Sequence, residues 1–169
     1  DLSTAILDLG SVGYRPAARN LPEHLVSADA GVRRAAATAL RLIASPDDAL
    51  EVQPHLHNPD LVVRREVART LEMTMTETQV EQVTKDLLDS TQDVETRVAL
   101  AGALQMRAPA EAAKKTMRTL LGDDATPDPL RNRAAHAYCL LADKGDVKDM
   151  AKLVGRETSL WALQCMAFT

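Results

Sequence analysis

One short pattern of residues occurs four times along this chain, and it constrains the fold more than any other feature. Each copy has an aspartate, an arginine four or five residues later, and small or aliphatic residues at helical spacing after the arginine. The arginines follow one another at intervals of 31, 33 and 36 residues and are Arg33, Arg64, Arg97 and Arg133. A period in this range is typical of proteins whose helical repeats stack on one another. The sequence therefore predicts an all-α fold, a solenoid of helical repeats.

The composition favours helices and argues against several classes of protein. Aromatic residues make up 2% of the chain, and no run of alternating β-branched residues is long enough to predict a strand. The formal net charge of −4 argues against a dedicated nucleic-acid binder. No apolar stretch approaches the ~18 residues of a membrane span, and no signal peptide is visible. We expect a cytoplasmic protein and, because the first residue is Asp1, part of a longer chain.

Helix start and stop signals divide the chain into repeats. Ser45–Asp48 combines a capping serine with a proline and acidic residues, and Thr76–Gln79 has the pattern of a capping box. The predicted helix Pro16–Ser27 contains Pro22, which should kink or restart it. Gly10 is expected to end the first helix in a left-handed cap. We predict a single domain, residues 1–169, in which the end of a preceding repeat (1–10) is followed by repeats at about 14–44, 45–75, 76–107, 108–142 and 143–169.

The pattern D-x-x-V-R-x-x-A-A-x-x-L, on the second helix of each pair, resembles the short HEAT repeats of phycobilisome-lyase-like proteins. The resemblance covers nearly the whole chain. It is sharp in the first two repeats and fades in the fifth, where Thr158 or Ser159 replaces the arginine. It implies an α-solenoid, or armadillo-like superhelix, of antiparallel HEAT-like helix pairs. It implies little about function, because that family consists mostly of binding scaffolds with diverse partners.

A second column of positions on these helices points away from the pattern residues. At 100° per residue, positions 34, 38 and 41 lie opposite positions 32, 36 and 40, and the resemblance places this outward column on the concave side of a solenoid. Its character changes along the chain from arginine to small or apolar residues: Arg34, Arg41, Arg65 and Arg69, then Val98, Gly102 and Gln105, then Tyr138 and Leu141, then Ser159, Leu163 and Met166. Arginine and tyrosine are enriched at binding hot spots.

We therefore predict that the column binds another protein. Its four arginines would recognise acidic groups, and Tyr138 and Leu141 would supply an apolar anchor. The alternative is that the arginines form a solvated face and that further repeats cover the apolar end.

The four arginines of the repeated pattern have two interpretations. They could form a basic stripe that clamps phosphates or acidic partners. Alternatively they are structural and pair with the recurring aspartates of their own or a neighbouring repeat, which are Asp29, Asp60, Asp93 and Asp128. The structural interpretation is favoured, because an aspartate accompanies every arginine and the overall charge is acidic.

The sequence predicts no catalytic residue, cofactor or metal site. The histidines (His24, His55, His57 and His136) lack the His-Glu dipeptides that metal-binding members of this repeat class use, and His136 is expected on the core column with Ala36, Val67 and Leu100. Cys139 and Cys165 are expected to be buried free thiols. The predicted function is a non-enzymatic scaffold for protein–protein interaction. The alternative is a repeat enzyme or enzyme accessory, such as a lyase-like chromophore-handling protein or, less favoured, a DNA-glycosylase-like protein.

Overall fold

The computed structural model describes residues 1–154, apart from the side chains of Met150, Leu153 and Val154. This part of the chain is helical throughout and contains no β-strand. It divides into two compact units, Asp1–Gln79 and Val80–Thr169. The second helix of the predicted fifth repeat lies outside the described residues, and so do the outward positions Ser159, Leu163 and Met166 and the second cysteine, Cys165.

The first unit is built around one long helix, α2, which packs against both α1 and α4. The helices of this unit are α1 Leu2–Ser11, α2 Ala30–Ile43, α3 Ala49–Val52 and α4 Leu61–Thr74. The pattern residues of α2 and α4 are buried, as predicted: Val32, Ala36 and Leu40 on α2 and Val63, Val67 and Leu71 on α4. Both helices begin at an aspartate whose side chain accepts a backbone amide, which is a standard N-cap.

The first helices of the first two repeats are broken into short pieces. The predicted helix Pro16–Ser27 consists of two 3-10 segments, Arg15–Asn20 and Pro22–Val26, and it restarts at Pro22 as the sequence indicates. In the second repeat the single turn of α3 lies between the 3-10 segments Pro46–Asp48 and Gln53–His57. Each of these four segments contains a proline. Because proline lacks an amide donor, a regular α-helix is interrupted at each segment.

Gly10 does not end the first helix, so that prediction is wrong. The residue lies inside α1, and a Cβ at this position would come within 2.8 Å of the Cα of Ala39 on α2. The glycine is therefore required for close helix packing. The chain turns after α1 at Gly13, whose φ of 72° lies in the left-handed region that glycine adopts without strain.

The second unit contains five helices in its described part, and α6 packs against both α5 and α8. They are α5 Val80–Leu88, α6 Val94–Arg107, α7 Ala110–Gly122, α8 Asp128–Leu141 and α9 Val147–Val154. Both α6 and α8 bury several small residues, which allow helices to approach closely: Ala99, Ala101, Gly102 and Ala103 on α6, and Ala134, Ala135 and Ala137 on α8. Helix α7 packs on α8, and a short segment, Lys144–Asp146, leads into α9.

The structure shifts the predicted alignment of α8 by two residues. The Nε of Arg97 donates to the carbonyl oxygen of Leu87, ten residues earlier, at 2.8 Å. The Nη1 of Arg131 donates to the carbonyl oxygen of Leu121, also ten residues earlier, at 3.1 Å. Arg131, and not Arg133, is therefore the fourth arginine of the repeated pattern.

This shift reverses the face of α8 that is buried, because two residues correspond to about 200° around a helix. Ala134 takes the core position predicted for His136, which is only half-buried. Tyr138 was predicted to be exposed but is completely buried, whereas Leu140 was predicted to lie in the core but is 62% exposed. The sequence assigned these residues wrongly because the loop before α8 allowed two alignments.

Candidate functional site

The arginines of the repeated pattern bind backbone carbonyl groups of the turn before their own helix. The Nη1 of Arg33 donates to Ser27 and Ala28 at 2.7 and 3.0 Å, and that of Arg64 donates to Asn58 and Pro59 at 2.8 and 3.3 Å. Arg97 and Arg131 bind carbonyl groups in the same way. These contacts give the arginines a structural role, since the guanidinium groups satisfy carbonyl oxygens where the chain turns, but the partners differ from the predicted aspartates.

The aspartates of the pattern act mainly as helix caps. Asp29, Asp60 and Asp93 each accept backbone amides at the start of the helix that follows. Asp128 instead is the first residue of α8. The predicted pairing of aspartate with arginine is seen between Asp60 and the Nη2 of Arg33 in the preceding repeat, at 3.4 Å.

The four arginines of the outward column lie on α2 and α4 of the first unit, and we call Arg34, Arg41, Arg65 and Arg69 the arginine surface. The Nε of Arg34 is 3.0 Å from Asp60 Oδ2, and the Nε of Arg41 is 2.6 Å from Glu66 Oε2. The Nη1 of Arg69 is 2.7 Å from the other oxygen of Glu66. Helices α2 and α4 are thus joined by ion pairs along their outward sides.

These ion pairs combine buried acids with exposed bases. The side chains of Arg34, Arg41 and Arg69 are 40–54% exposed, whereas those of Asp60 and Glu66 are 5% and 12% exposed. Burial acts to raise the pKa of Asp60, but the amide of Val62 and the guanidinium of Arg34 outweigh it, so the pKa is lowered. The carboxylate of Asp60 is therefore charged at neutral pH.

Four arginines of the first unit contact two buried carboxylates. Asp60 contacts Arg33 and Arg34, and Glu66 contacts Arg41 and Arg69. These six side chains have a formal surplus of two positive charges. Each guanidinium has five N–H donors in a planar fork, more than one carboxylate oxygen can accept. The geometry therefore orients Arg34, Arg41 and Arg69 on the surface and leaves their side chains partly exposed.

The predicted apolar anchor is not on the surface. Tyr138 is buried, its hydroxyl is 3.4 Å from Asp146 Oδ1, and the guanidinium of Arg118 lies 6.0 Å from the centre of its ring. Burial and the nearby Asp146 raise the pKa of Tyr138. Leu141 is half-buried. Both residues belong to the second unit, whereas the arginine surface belongs to the first, and the assignment of Tyr138 as an exposed anchor is wrong.

A second group of charged residues, which the sequence analysis missed, surrounds Lys114 in the second unit. The lysine side chain is 3% exposed, and its Nζ lies 2.6 Å from Glu111, 2.7 Å from Asp146 and 3.1 Å from Asp143. We call these four residues the Lys114 cluster. The only signal in the sequence was the Asp-x-x-Asp pattern at Asp143–Asp146, which forms a capping box like the one that the structure shows at Ser45–Asp48.

The charges of the Lys114 cluster stabilise one another. The hydrogen bonds that Lys114 donates to Asp146 and then to Glu111 raise the pKa of Lys114, and the bond that Asp146 accepts from Lys114 lowers the pKa of Asp146. A lysine used as a catalytic base or nucleophile needs a lowered pKa. The cluster therefore holds the segment before α9 against α7 and is not suited to lysine catalysis.

Among residues 1–154, no three His, Cys, Asp or Glu side chains are grouped so that they could hold a metal ion. No helix in that range combines the length and the apolar character needed to cross a membrane. Cys139 is half-buried and is not part of a disulfide.

The described residues thus define an all-helical, repeat-like protein with a cationic surface in its first unit. Searches of protein-family models, of curated proteins and of solved structures found no match to this chain.

Proposed function

We propose that this protein is a HEAT-like α-solenoid that serves as a non-enzymatic protein-binding scaffold, and that the arginine surface binds acidic groups of its partner. The observation that carries this proposal is the sharing of two buried carboxylates, Asp60 and Glu66, among four guanidinium groups. The ion pairs with these carboxylates fix the positions of Arg34, Arg41 and Arg69 and leave their side chains partly exposed.

The solenoid part of the proposal is supported by the recurrence of one structural role. Arg33, Arg64, Arg97 and Arg131 bind turn carbonyls at successive intervals of 31, 33 and 34 residues. Each lies on a helix that begins at an equivalent point of its repeat. Repeats that reuse the same anchor at a nearly constant spacing are typical of stacked helical arrays.

The binding part is supported by the chemistry of the arginine surface. A guanidinium that is already oriented loses less side-chain entropy on binding than a freely moving one. Its planar fork matches a carboxylate or phosphate group. The surplus of positive charge would also attract an acidic partner and increase the association rate.

The test uses glutamine at positions 34 and 41. In a variant with Arg34→Gln and Arg41→Gln, Asp60 keeps Arg33 and Glu66 keeps Arg69, so neither buried acid loses its last arginine. Binding of a labelled polyglutamate peptide is measured by fluorescence anisotropy over a range of salt concentrations. We expect the variant to bind about tenfold more weakly or worse, as expected for lost charge-assisted hydrogen bonds, and to depend less on salt.

The matched control is Lys115→Gln, which removes an exposed cation from α7 in the second unit. It should bind polyglutamate as the parent does. Circular dichroism checks that both variants are folded. Equal binding by the parent and the double variant would contradict the proposal, because the arginine surface would then contribute nothing to recognition of acidic groups.

A further inference from the structure

A cleft of about 400 Å³ lies in the first unit, at the junction of the first two repeats. Its polar lining comes from Arg15 and Arg19 on the 3-10 segment of the first repeat, and from Ser45, Asp47 and Asp48 at the start of the second. Its volume is within the range of roughly 300–1,000 Å³ that is typical of small-ligand sites. The cleft does not include any residue of the arginine surface.

The charged groups in this cleft are unequally engaged. Asp48 accepts hydrogen bonds from the backbone amide and the hydroxyl of Ser45, both at 2.8 Å. In contrast, the side chains of Arg15, Arg19 and Asp47 form no hydrogen bond or ion pair with any residue in the described range 1–154. Two guanidinium groups and one carboxylate therefore border the cleft with their hydrogen-bonding capacity unused by the described residues.

At the start of two other repeats, the last residue of the opening 3-10 segment forms hydrogen bonds with the first helix of the preceding repeat. The Nε2 of Gln79 donates to Ala49 O and to Gln53 Oε1, both at 2.9 Å, and so binds the first helix of the preceding repeat. Asp146 accepts from Lys114 Nζ at 2.7 Å and also binds a first helix. Gln79 and Asp146, like Asp48, end the short 3-10 segment that opens their repeat.

Asp48 makes no such bond to a residue of the preceding repeat within the described chain, and the open cleft occupies that place. At the first junction this contact is absent within the described residues, and a cleft bordered by Arg15 and Arg19 lies there. The two guanidinium groups can donate hydrogen bonds to a ligand that brings an acceptor into the cleft.

We propose that this cleft binds the C-terminal carboxylate of a peptide. Arg15 and Arg19 donate to the carboxylate, for which the planar guanidinium is well matched, and Asp47 accepts a hydrogen bond from a backbone amide of the same peptide. A phosphate dianion is disfavoured, because Asp47 and Asp48 would repel its second charge. The site is independent of the arginine surface and would give the scaffold a second mode of recognition.

The experiment is an NMR titration of the ¹⁵N-labelled chain, residues 1–169, that follows the backbone amides of residues 15, 17–19, 45, 47 and 48 and the Nε–H signals of the arginines. The main probe is N-acetyl-Ala-Ala-Ala with a free carboxylate, and its matched partner is the same peptide with a C-terminal amide. We expect the free acid to shift these signals and the amide to leave them unchanged. Arg15→Gln combined with Arg19→Gln should weaken binding of the free acid by about tenfold or more, whereas Lys115→Gln should bind as the parent does.

Four further outcomes would overturn the proposal. Equal shifts with the C-terminal amide would show that the carboxylate is not recognised, and an absence of shifts at saturating peptide would show that the cleft does not bind it. Stronger binding of inorganic phosphate, or of N-acetyl-Ala-Glu-Ala-amide with its side-chain carboxylate, would show another specificity. Shifts confined to Arg34, Arg41 and Arg69 would assign the binding to the arginine surface and would leave the proposed function standing.

Discussion

The two units of the chain use charged residues in opposite ways. In the first unit, Arg34, Arg41 and Arg69 are partly exposed and contact two buried acids. In the second unit Lys114 is buried among three acids, Glu111, Asp143 and Asp146. The first arrangement leaves guanidinium groups accessible at the surface, and the second holds a segment of the chain in place.

The outward column shows the same contrast. On α4 it carries Arg65, Arg69 and Glu72, whereas on α6 it carries Val98, Gly102 and Gln105, of which Gly102 is buried. The inward residues keep the same small or aliphatic character on both helices. The residue types that pack the core and the arginine that binds the turn are therefore similar from repeat to repeat, whereas the residue types at the outward positions differ. Functional differences between the units are to be sought in the outward residues.

The largest expected effect is that of Tyr138→Ala in the second unit. Because Tyr138 is completely buried, its truncation should destabilise the unit by about 3–5 kcal/mol, as for other large aromatic residues in cores. Tyr138→Phe keeps the ring and loses only the 3.4 Å contact with Asp146, so it should cost about 0.5–1.5 kcal/mol. Urea denaturation followed by circular dichroism measures both. A Tyr138→Ala protein as stable as the parent would restore the view that this residue is exposed.

An intermediate effect is expected for the arginines that bind turn carbonyls. Arg64→Ala in the first unit and Arg131→Ala in the second should each lower the free energy of unfolding by about 1–3 kcal/mol, because carbonyl oxygens lose a charged donor. The matched control is Arg133→Ala, which should cost less than Arg131→Ala. Thermal unfolding compares the three variants. The opposite order for Arg131 and Arg133 would show that the two-residue shift of α8 is wrong.

The smallest expected effect is a local response to acid in the Lys114 cluster. The pKa of Asp146 is lowered by Lys114, so the stabilisation it provides is present above the usual aspartate pKa of about 3.9 and is lost as the pH falls through the lower, folded value. Lys114 has a raised pKa, so its contribution is complete below the usual lysine pKa of about 10.4 and is lost only above the folded value. The segment before α9 should therefore detach from α7 below about pH 4.

Amide signals of residues 143–149, recorded by NMR between neutral pH and pH 3, report this opening. Asp146→Asn should weaken the dependence on pH. The matched control is Glu81→Gln, which removes the exposed 2.8 Å pair with Lys85 on α5 and should change little, because exposed pairs contribute little stability. If Asp146→Asn and the parent respond identically to acid, Asp146 is not the titrating group.

The resemblance to HEAT repeats and the scaffold function remain proposals, but the helical character and much of the core were legible in the sequence. The buried faces of α2, α4 and α6 are where the pattern predicts them, and each helix begins at the aspartate of its pattern, which acts as an N-cap and was predicted only as an arginine partner. Caps and helical faces depend on residues within one or two turns of one another. Such short-range relations can be read from a single sequence.

The tertiary structure alone decided the alignment of α8, the burial of Tyr138 and the pairing of Lys114. Two registers of α8 satisfied the local pattern, and only packing against α6 and α7 selects the one in which Arg131 binds the preceding turn. Lys114 and Asp146 are 32 residues apart, and Arg41 and Glu66 are 25 apart. The spacing of residues along the sequence does not predict which residue of a neighbouring repeat forms an ion pair with a given charged side chain. That choice depends on how helices distant in sequence pack together, since burial and ion pairing are properties of the folded chain.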